Sequence, residues 1–526
     1  MTLPWDEDGG GAPVRQEFAG LVVPPEYSRA MDFSKIDTKY LTSDTRKYLR
    51  TLPNIKGAQN DDEAFEEYDN FCEEKIRIQF SDEDKPSPGP DFGTHQDPQI
   101  ALSDPRISNN LISLNVRKLN AVQRKAIPLI RSGYGLLLQA PTGIGKTYSF
   151  LIPAVERALE ERAMNPKVTE KPSPSVLIMT STGRLITQIY TRCCLMMGVV
   201  SDERVEQVNE IKLELMTSGC AVTSGQCDIA FATMGKLEAA IKDDQICLDN
   251  LKLMILDEAD KMVDESAFGM LVDWVFEQVP EEVRKRLQCC FFSATYTEFH
   301  GCISLSSLQS KMFGDNKYAA LICPRKPGYI DQRVIRIPRS GKNFKTHESL
   351  VKMAKVFSLI DQDLEKTGCS KQGPFKETIL IFCETVQRVS QVTMALRLAG
   401  YNFKPLSRMI SKVQQQVTLN DLAHAKINGV VASNLMARGI DIPSIRHTIV
   451  MEMSMEFNTY KHRIGRVGRD GSGGKSTVFV AEQNLFGREG NNIEALVEFL
   501  IENEQKLPKW LEEWYNDRLE QYARVD

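Results

Sequence analysis

Nowhere in the 526-residue chain does an apolar run approach the roughly 18–20 residues needed to cross a bilayer, which excludes a helical membrane span. The opening residues, MTLPWDEDGG, lack the basic start and apolar core of a secretory signal, so a soluble, intracellular protein is expected. No CxxC spacing occurs among the twelve cysteines. A disulfide framework and a zinc site both want regular spacings, whereas Cys193–Cys194 and Cys289–Cys290 are adjacent pairs in apolar surroundings. Buried thiols in a reducing compartment are the expectation. A basic excess is also missing: the net charge is −5. The charge is unevenly spread, because residues 1–98 hold 21 acidic and 11 basic side chains, leaving the remainder at +5. A mildly basic body behind an acidic arm is compatible with a phosphate-bearing ligand.

What is present is ordinary for a globular protein: 42% hydrophobic and 26% charged residues, in a chain long enough for two to four domains. Residues 1–98 read as a mostly flexible acidic extension, with an acidic patch DDEAFEEYD at 61–69 and a turn-rich SDEDKPSPGP at 81–90. From 99 to 325 short apolar runs alternate with amphipathic stretches: GLLLQ (135–139), VLIMT (176–180), DIAFA (228–232), LMILD (253–257) and QCCFF (288–292). Each predicts a buried strand of a parallel sheet. Residues 326–345 read as a linker running into a first strand, and a second such rhythm covers 346–512: TILIF (378–382), GVVAS (429–433), HTIVM (447–451) and STVFV (476–480). Residues 513–526 are left as a tail. The fold class is α/β, two similar doubly wound domains joined by a short hinge. Ligands of such sheets sit beyond the carboxyl ends of the strands.

Two motifs fall there. APTGIGKT (140–147) follows GLLLQ and opens a helical stretch, with Ala140 where the GxxxxGK[ST] pattern has its first glycine. Gly143 and Gly145 let backbone N–H groups curl toward phosphate oxygens, and the helix start adds about half a positive charge. Pro141, Thr142 and Ile144 complete the loop, Lys146 is placed to reach the β- and γ-phosphates, and Thr147 to hold Mg²⁺. By contrast GSGGKS (471–476) reads as a hairpin turn. DEAD (257–260) ends an otherwise apolar strand, so Asp257 is expected to hold Mg²⁺ through water and Glu258 to orient and deprotonate the attacking water. ATP and Mg²⁺ are the expected ligands.

With these motifs in place the chain resembles a DEAD-box ATP-dependent RNA helicase from about residue 99 to 512, and its ending ALVEFLIENEQKLPKWL (495–511) is similar to that of the Vasa-like branch. The resemblance implies two tandem RecA-like domains. It also implies that Gln123 reads the adenine edge and that Ser293 and Thr295 of SAT, with Asp260, couple ATP state to RNA grip. In the second domain, Arg438 and Asp441 belong to ARGID, Asp441 binding ribose. In YKHRIGRVGR (460–469), Arg466 and Arg469 act as arginine fingers and His462 meets the first domain on closure. Thr182, Lys236 and Arg438 face RNA, which is held by its sugar–phosphate backbone without sequence readout.

The pattern departs on the RNA side. PTREL appears as STGRL (181–185), with Gly183 where arginine is usual and Arg184 one place later. TPGR appears as TMGK (233–236), and SRMISK (407–412) stands for the HGD-type motif. Motif V begins Ser433-Asn434, Val467 replaces a threonine, and neither a GG motif nor the upstream aromatic is evident. Two functions are therefore expected to compete: an RNA-stimulated ATPase that remodels RNA or ribonucleoprotein, or an ATP-gated RNA clamp or scaffold with weak unwinding. The branch further implies a monomer in cytoplasmic, perinuclear RNA granules, with ribonucleoprotein-granule partners, serving germline small-RNA silencing, and no membrane.

Overall fold

A computed structural model describes residues 62–81, 97–114, 116–141, 143–165, 171–198, 207–208, 210–218, 220, 222, 225–262, 267–294, 312–314, 316–324, 326, 329–338, 344–371, 378–433, 445–454, 457–468, 473–485 and 488–523. Its strands in chain order are β1 (Arg77–Phe80), β2 (Gly135–Gln139), β3 (Val176–Thr180), β4 (Leu213–Met216), β5 (Ile229–Thr233), β6 (Leu253–Asp257), β7 (Gln288–Ser293), β8 (Tyr318–Ile322), β9 (Ile330–Ile337), β10 (Thr378–Cys383), β11 (Phe403–Leu406), β12 (Gly429–Ser433), β13 (Ile445–Val450) and β14 (Gly474–Ala481). They form two sheets, β1-β8-β2-β7-β6-β3-β5-β4 and β11-β12-β10-β13-β14-β9. Every pairing is parallel except β1 against β8.

The apolar runs explain this layering. In β3, Val176 and Ile178 enter one core while Leu177 and Met179 enter the core on the opposite face. In β10, Leu380 and Phe382 separate from Ile379, Ile381 and Cys383 in the same way. Strands covered on both faces have no polar side, which is why they read as unbroken hydrophobic runs. The paired cysteines Cys193, Cys194, Cys289 and Cys290 lie in these cores as free thiols. Burial pushes Cys194 and Cys290 up to about 12, so they are inert as nucleophiles. Among the described residues, no helix is long and apolar enough to cross a membrane.

Three sequence boundaries move. Residues 62–81, assigned above to a flexible extension, form a helix, Asp62–Lys75, and the edge strand β1. They are held by Asp69, whose carboxylate accepts from the Ala121 backbone N–H at 2.5 Å and from Arg124 at 3.0 Å, both side chains being buried. The acidic patch is thus partly a docking surface. The segment read as a linker contains β9, a full edge strand on β14, and the helix Phe344–Thr367 already begins before residue 346. Residues 513–523 of the tail lie in the helix Lys509–Ala523, whose Trp510, Trp514 and Tyr515 pack on the second-domain core, and residues 524–526 lie outside the described residues. Gly471 and Ser472 of GSGGKS lie outside the described residues, while Gly474–Ser476 form the start of β14, whose pairings with β13 and β9 are both parallel, not those of a hairpin.

Asp69→Ala removes the buried carboxylate partner of a buried guanidinium, leaving it the half-exposed Glu73, at 2.7 Å. The expected cost is about 3 kcal/mol, the lower end for breaking a buried pair. It is read as an earlier first-domain transition in urea denaturation followed by circular dichroism.

Candidate active site

At the carboxyl end of β2, between β8 and β7, the backbone N–H of Ala140 bonds to the Ser293 carbonyl at 3.1 Å. The loop then turns through Gly143 (φ 90°) and Gly145 (φ 82°), conformations that a side chain resists. Two amides brace it from beneath: Asn120 donates to the Ile144 carbonyl at 2.6 Å and Gln123 to the Gly145 carbonyl at 3.0 Å. A Cβ on Gly145 would lie 2.9 Å from both amide nitrogens. Asn120 and Gln123 also cap each other's backbone at the start of the helix Ala121–Arg131. Gln123 therefore spends its amide nitrogen on the loop and its amide oxygen on the Asn120 backbone N–H, a bracing role that the sequence did not indicate. The helix Lys146–Met164 starts directly after the loop, and among the described residues no side chain caps it. Its first N–H groups can serve an anion. Lys146 stretches over the loop, donating to the carbonyls of Ala140 at 2.5 Å and Pro141 at 3.2 Å.

Two strands away, β6 delivers Asp257, 7% exposed, with its carboxylate accepting from the Glu258 N–H at 3.0 Å. Burial drives the Asp257 carboxyl up to about 6, although Lys146 pulls it down. Glu258 sits in the left-handed region (φ 56°, ψ 43°), which costs about 1–2 kcal/mol and turns the chain sharply at the strand end. A hydroxyl (Thr147) and a carboxylate strained by burial are hard oxygen donors that suit Mg²⁺. The Thr147 hydroxyl already accepts from Arg192 at 3.2 Å. Arg192 carried no sequence signal, because its helix position matters only once the helix Gly183–Met196 is packed beside the loop.

The second domain meets this site through His462, whose Nε2 lies 3.0 Å from the Asp260 carboxylate, both side chains being buried. Arg466 is buried on the same segment and donates through Nε to the His462 carbonyl at 3.3 Å. Arg463, which the sequence did not single out, donates to the Glu452 carbonyl at 2.6 Å, ion-pairs with Glu384 and lies over the Phe382 ring. It anchors the motif to its own domain. Thr142, Thr295, Arg438, Asp441 and Arg469 lie outside the described residues.

The altered RNA-side motifs are built into protein contacts. Thr182 caps the helix Gly183–Met196, accepting from the Leu185 N–H at 3.3 Å. A Cβ at Gly183 would lie 2.6 Å from the Thr217 hydroxyl, so no arginine fits there without movement. Arg184 crosses to the second domain and donates to Gln415 at 3.0 Å. Gln415 in turn holds the carbonyls of Ser407 and Ile410 at 3.1 and 3.0 Å, shaping the SRMISK loop. Lys236 is half-buried in the first turn of the helix Met234–Lys242.

Comparison with known proteins finds the DEAD/DEAH box helicase family over residues 120–300 and the helicase conserved C-terminal domain over 362–471. The chain is 29% identical over 442 residues to the ATP-dependent RNA helicase glh-4 of Caenorhabditis elegans, covering 81% of this chain and 35% of that one. It is 26% identical over 488 residues to the "Probable ATP-dependent RNA helicase DDX4" of Homo sapiens, covering 90% of this chain and 60% of that one. It therefore spans between a third and two thirds of those relatives. Its fold is similar to S. cerevisiae Dbp5 bound to RNA and ADP BeF3, with TM-score 0.58, 18% identity and coverage of 77% and 93%. It is also similar to the DEAD-box helicase Mss116 bound to ssRNA and UDP-BeF, with TM-score 0.59, 20% identity and coverage of 73% and 74%.

A raised Asp257 pKa means that the nucleotide-free fold binds this proton more tightly than the unfolded chain does. Its stabilising contribution is present below about pH 4, the unfolded value, and is lost as pH rises through about 6. Asp257→Asn is expected to stabilise the nucleotide-free protein at pH 8 by about 2–3 kcal/mol. Thermal melts of both proteins should diverge at pH 8 and converge near pH 4.

Proposed function

Because the chain belongs to the DEAD-box helicase family, on its Vasa-like branch, we infer that it is an ATP-dependent RNA helicase: an RNA-stimulated ATPase that locally unwinds or remodels RNA or ribonucleoprotein. The observation that carries this reading is the bipartite site. Lys146, Asp257 and Glu258 stand on one sheet, and Arg466 stands on the other beside His462, which is hydrogen-bonded to Asp260.

In this reading the loop N–H groups and Lys146 bind the β- and γ-phosphates of ATP. Thr147 and, through water, Asp257 hold Mg²⁺, which when bound neutralises phosphate charge. Glu258 orients the attacking water and accepts its proton, while Arg466 and Arg469 stabilise the charge that develops on the transferred phosphoryl group. Lys146 and Glu258 lie on one domain and the arginines on the other, so hydrolysis requires closure and ATP becomes a switch on RNA affinity. Gln123 faces the adenine, Asp441 the ribose, and Ser293, Thr295, Asp260 and His462 link nucleotide state to the RNA groove. Thr182, Lys236 and Arg438 contact the RNA backbone. The first domain spans about 62–324 and the second about 330–523. Likeness to the glh helicases and DDX4 supports a germline link, and the reading extends to small-RNA pathways and to a monomer in cytoplasmic, perinuclear RNA granules with ribonucleoprotein partners.

One observation favours the second reading, an ATP-gated clamp with weak unwinding: Arg184 is spent on Gln415 rather than kept for phosphate. The two readings part in one set of assays. ATP turnover should rise several-fold with single-stranded RNA, and absence of turnover with or without RNA refutes both. A short duplex separated at a rate matching ATP turnover selects the helicase, and ATP-dependent RNA retention without separation selects the clamp.

Lys146→Ala should weaken ATP binding. Glu258→Gln should retain ATP and RNA but lose turnover by about 100-fold or more, as expected when a general base is removed. Single-turnover phosphate release measures this, and a wild-type rate in Glu258→Gln overturns its assignment.

A further inference from the structure

We propose that the helix Asp62–Lys75 is a positioning element of the ATPase, acting through Tyr68 and Tyr329 on the segment that carries the two arginine fingers. This rests on the proposed function but concerns residues that it does not use. The helix is fixed to the first domain by Asp69, by Glu73 on Lys125 at 2.5 Å and by Glu66 on Lys118 at 2.6 Å. It is also tied to the stretch of chain leading into the second domain. Glu67 pairs with Lys326 at 2.6 Å, and the Tyr68 ring packs on Tyr329 with centroids 4.9 Å apart. Tyr329 belongs to the second core and donates its hydroxyl to the Gly468 carbonyl at 2.5 Å.

Gly468 lies between Arg466 and Arg469. Its φ is +68°, and a Cβ there would lie 2.8 Å from the Gly473 carbonyl, so this position favours glycine and lies close against Gly473. Its N–H bonds to the Ile445 carbonyl at 3.3 Å. The Tyr329 hydroxyl and the Ile445 carbonyl thus hold the two backbone polar groups of Gly468. At the other end of the same chain of contacts, Arg124 adjoins Gln123, the amide that braces the phosphate loop. Asp69 and Tyr68, neighbours on one helix, thus connect the helix that carries the loop-bracing Gln123 to the backbone of Gly468, two residues after Arg466. Charge stabilisation in a phosphoryl-transfer transition state falls steeply with small misplacement, so a contact that sets this distance acts on turnover more than on ATP binding.

The test uses the full chain with RNA present. Tyr68→Ala should lower kcat roughly 10- to 100-fold while leaving the ATP dissociation constant within about twofold, and Tyr68→Phe should restore turnover because the ring supplies the contact. Tyr329→Phe, which removes one oxygen and keeps the ring, should lower kcat likewise. The double variant Tyr68→Ala/Tyr329→Phe should be no slower than about twofold below the worse single variant, since both act on one contact path. Thermal unfolding of the first domain should hold in Tyr329→Phe, so a misfolded Tyr68→Ala still leaves a readable variant. The inference is overturned if wild type hydrolyses ATP and Tyr329→Phe keeps its kcat, or if the kcat loss follows a parallel loss of ATP affinity. A wild type without turnover refutes the proposed function instead, and this inference with it.

Discussion

Asp260 and His462 come from different sheets, and each would be a poor occupant of a buried position alone. At 3.0 Å across the domain boundary they hydrogen-bond one another, and separating the domains breaks that buried bond. The contact is therefore sensitive to the spacing of the two domains. It is also local to the chemistry, since Asp260 follows Asp257 and Glu258 within one turn, and His462 accepts at its carbonyl from Arg466. Any movement that opens the boundary displaces the acidic cluster and the arginine segment relative to each other. In the proposed mechanism this is how an ATP site divided between two domains senses its own closure.

Around that contact each half is rigid for separate reasons. In the first domain the loop is fixed from beneath by Asn120 and Gln123, and Glu258 is held in a left-handed conformation by the end of β6. In the second domain Arg463 ties the motif to Glu384 and Glu452 of its own fold. A further buried group, His447 between Asp363 at 2.5 Å and Thr477 at 2.9 Å, joins the helix Phe344–Thr367 to β13 and β14. Burial would raise Asp363, yet His447 and Lys475 outweigh it and hold the carboxylate below its usual range.

The sequence exposed those parts of the fold whose physics is local. Strands buried on both faces write themselves as apolar runs, so β2, β3, β5, β6, β7, β10 and β12 were found nearly to the residue. Strands with one covered edge or a mixed face were not. β9 alternates buried and exposed positions with Asp331, Arg333 and Arg336 turned outward, and so was read only as a linker running into a first strand. β11 contains Pro405 and pairs only with β12, and β1 is four residues docked through an acidic helix that resembled a disordered arm. At the site, the loop and the acidic cluster were legible because their residues are adjacent in the chain and each follows an apolar strand. Asn120, Arg192 and Tyr329 were invisible because their roles depend on partners 24, 45 and 139 positions away.

The departures on the RNA side acquire a common cause. A Cβ at Gly183 would crowd the Thr217 hydroxyl, and Arg184 is turned onto Gln415, which also organises the loop at 407–410. A side chain bonded across the boundary stabilises the assembled arrangement whether or not RNA is present, while one reserved for phosphate stabilises it only when RNA is bound. Replacing the second kind by the first shifts part of the free energy of closure from the ligand to the protein. The consequence for a two-state cycle is definite: RNA then has less differential affinity with which to drive closure, so stimulation by RNA weakens even if hydrolysis is untouched. Within the proposed function, the altered motifs thus point to a motor whose ATP chemistry is retained and whose dependence on RNA is reduced.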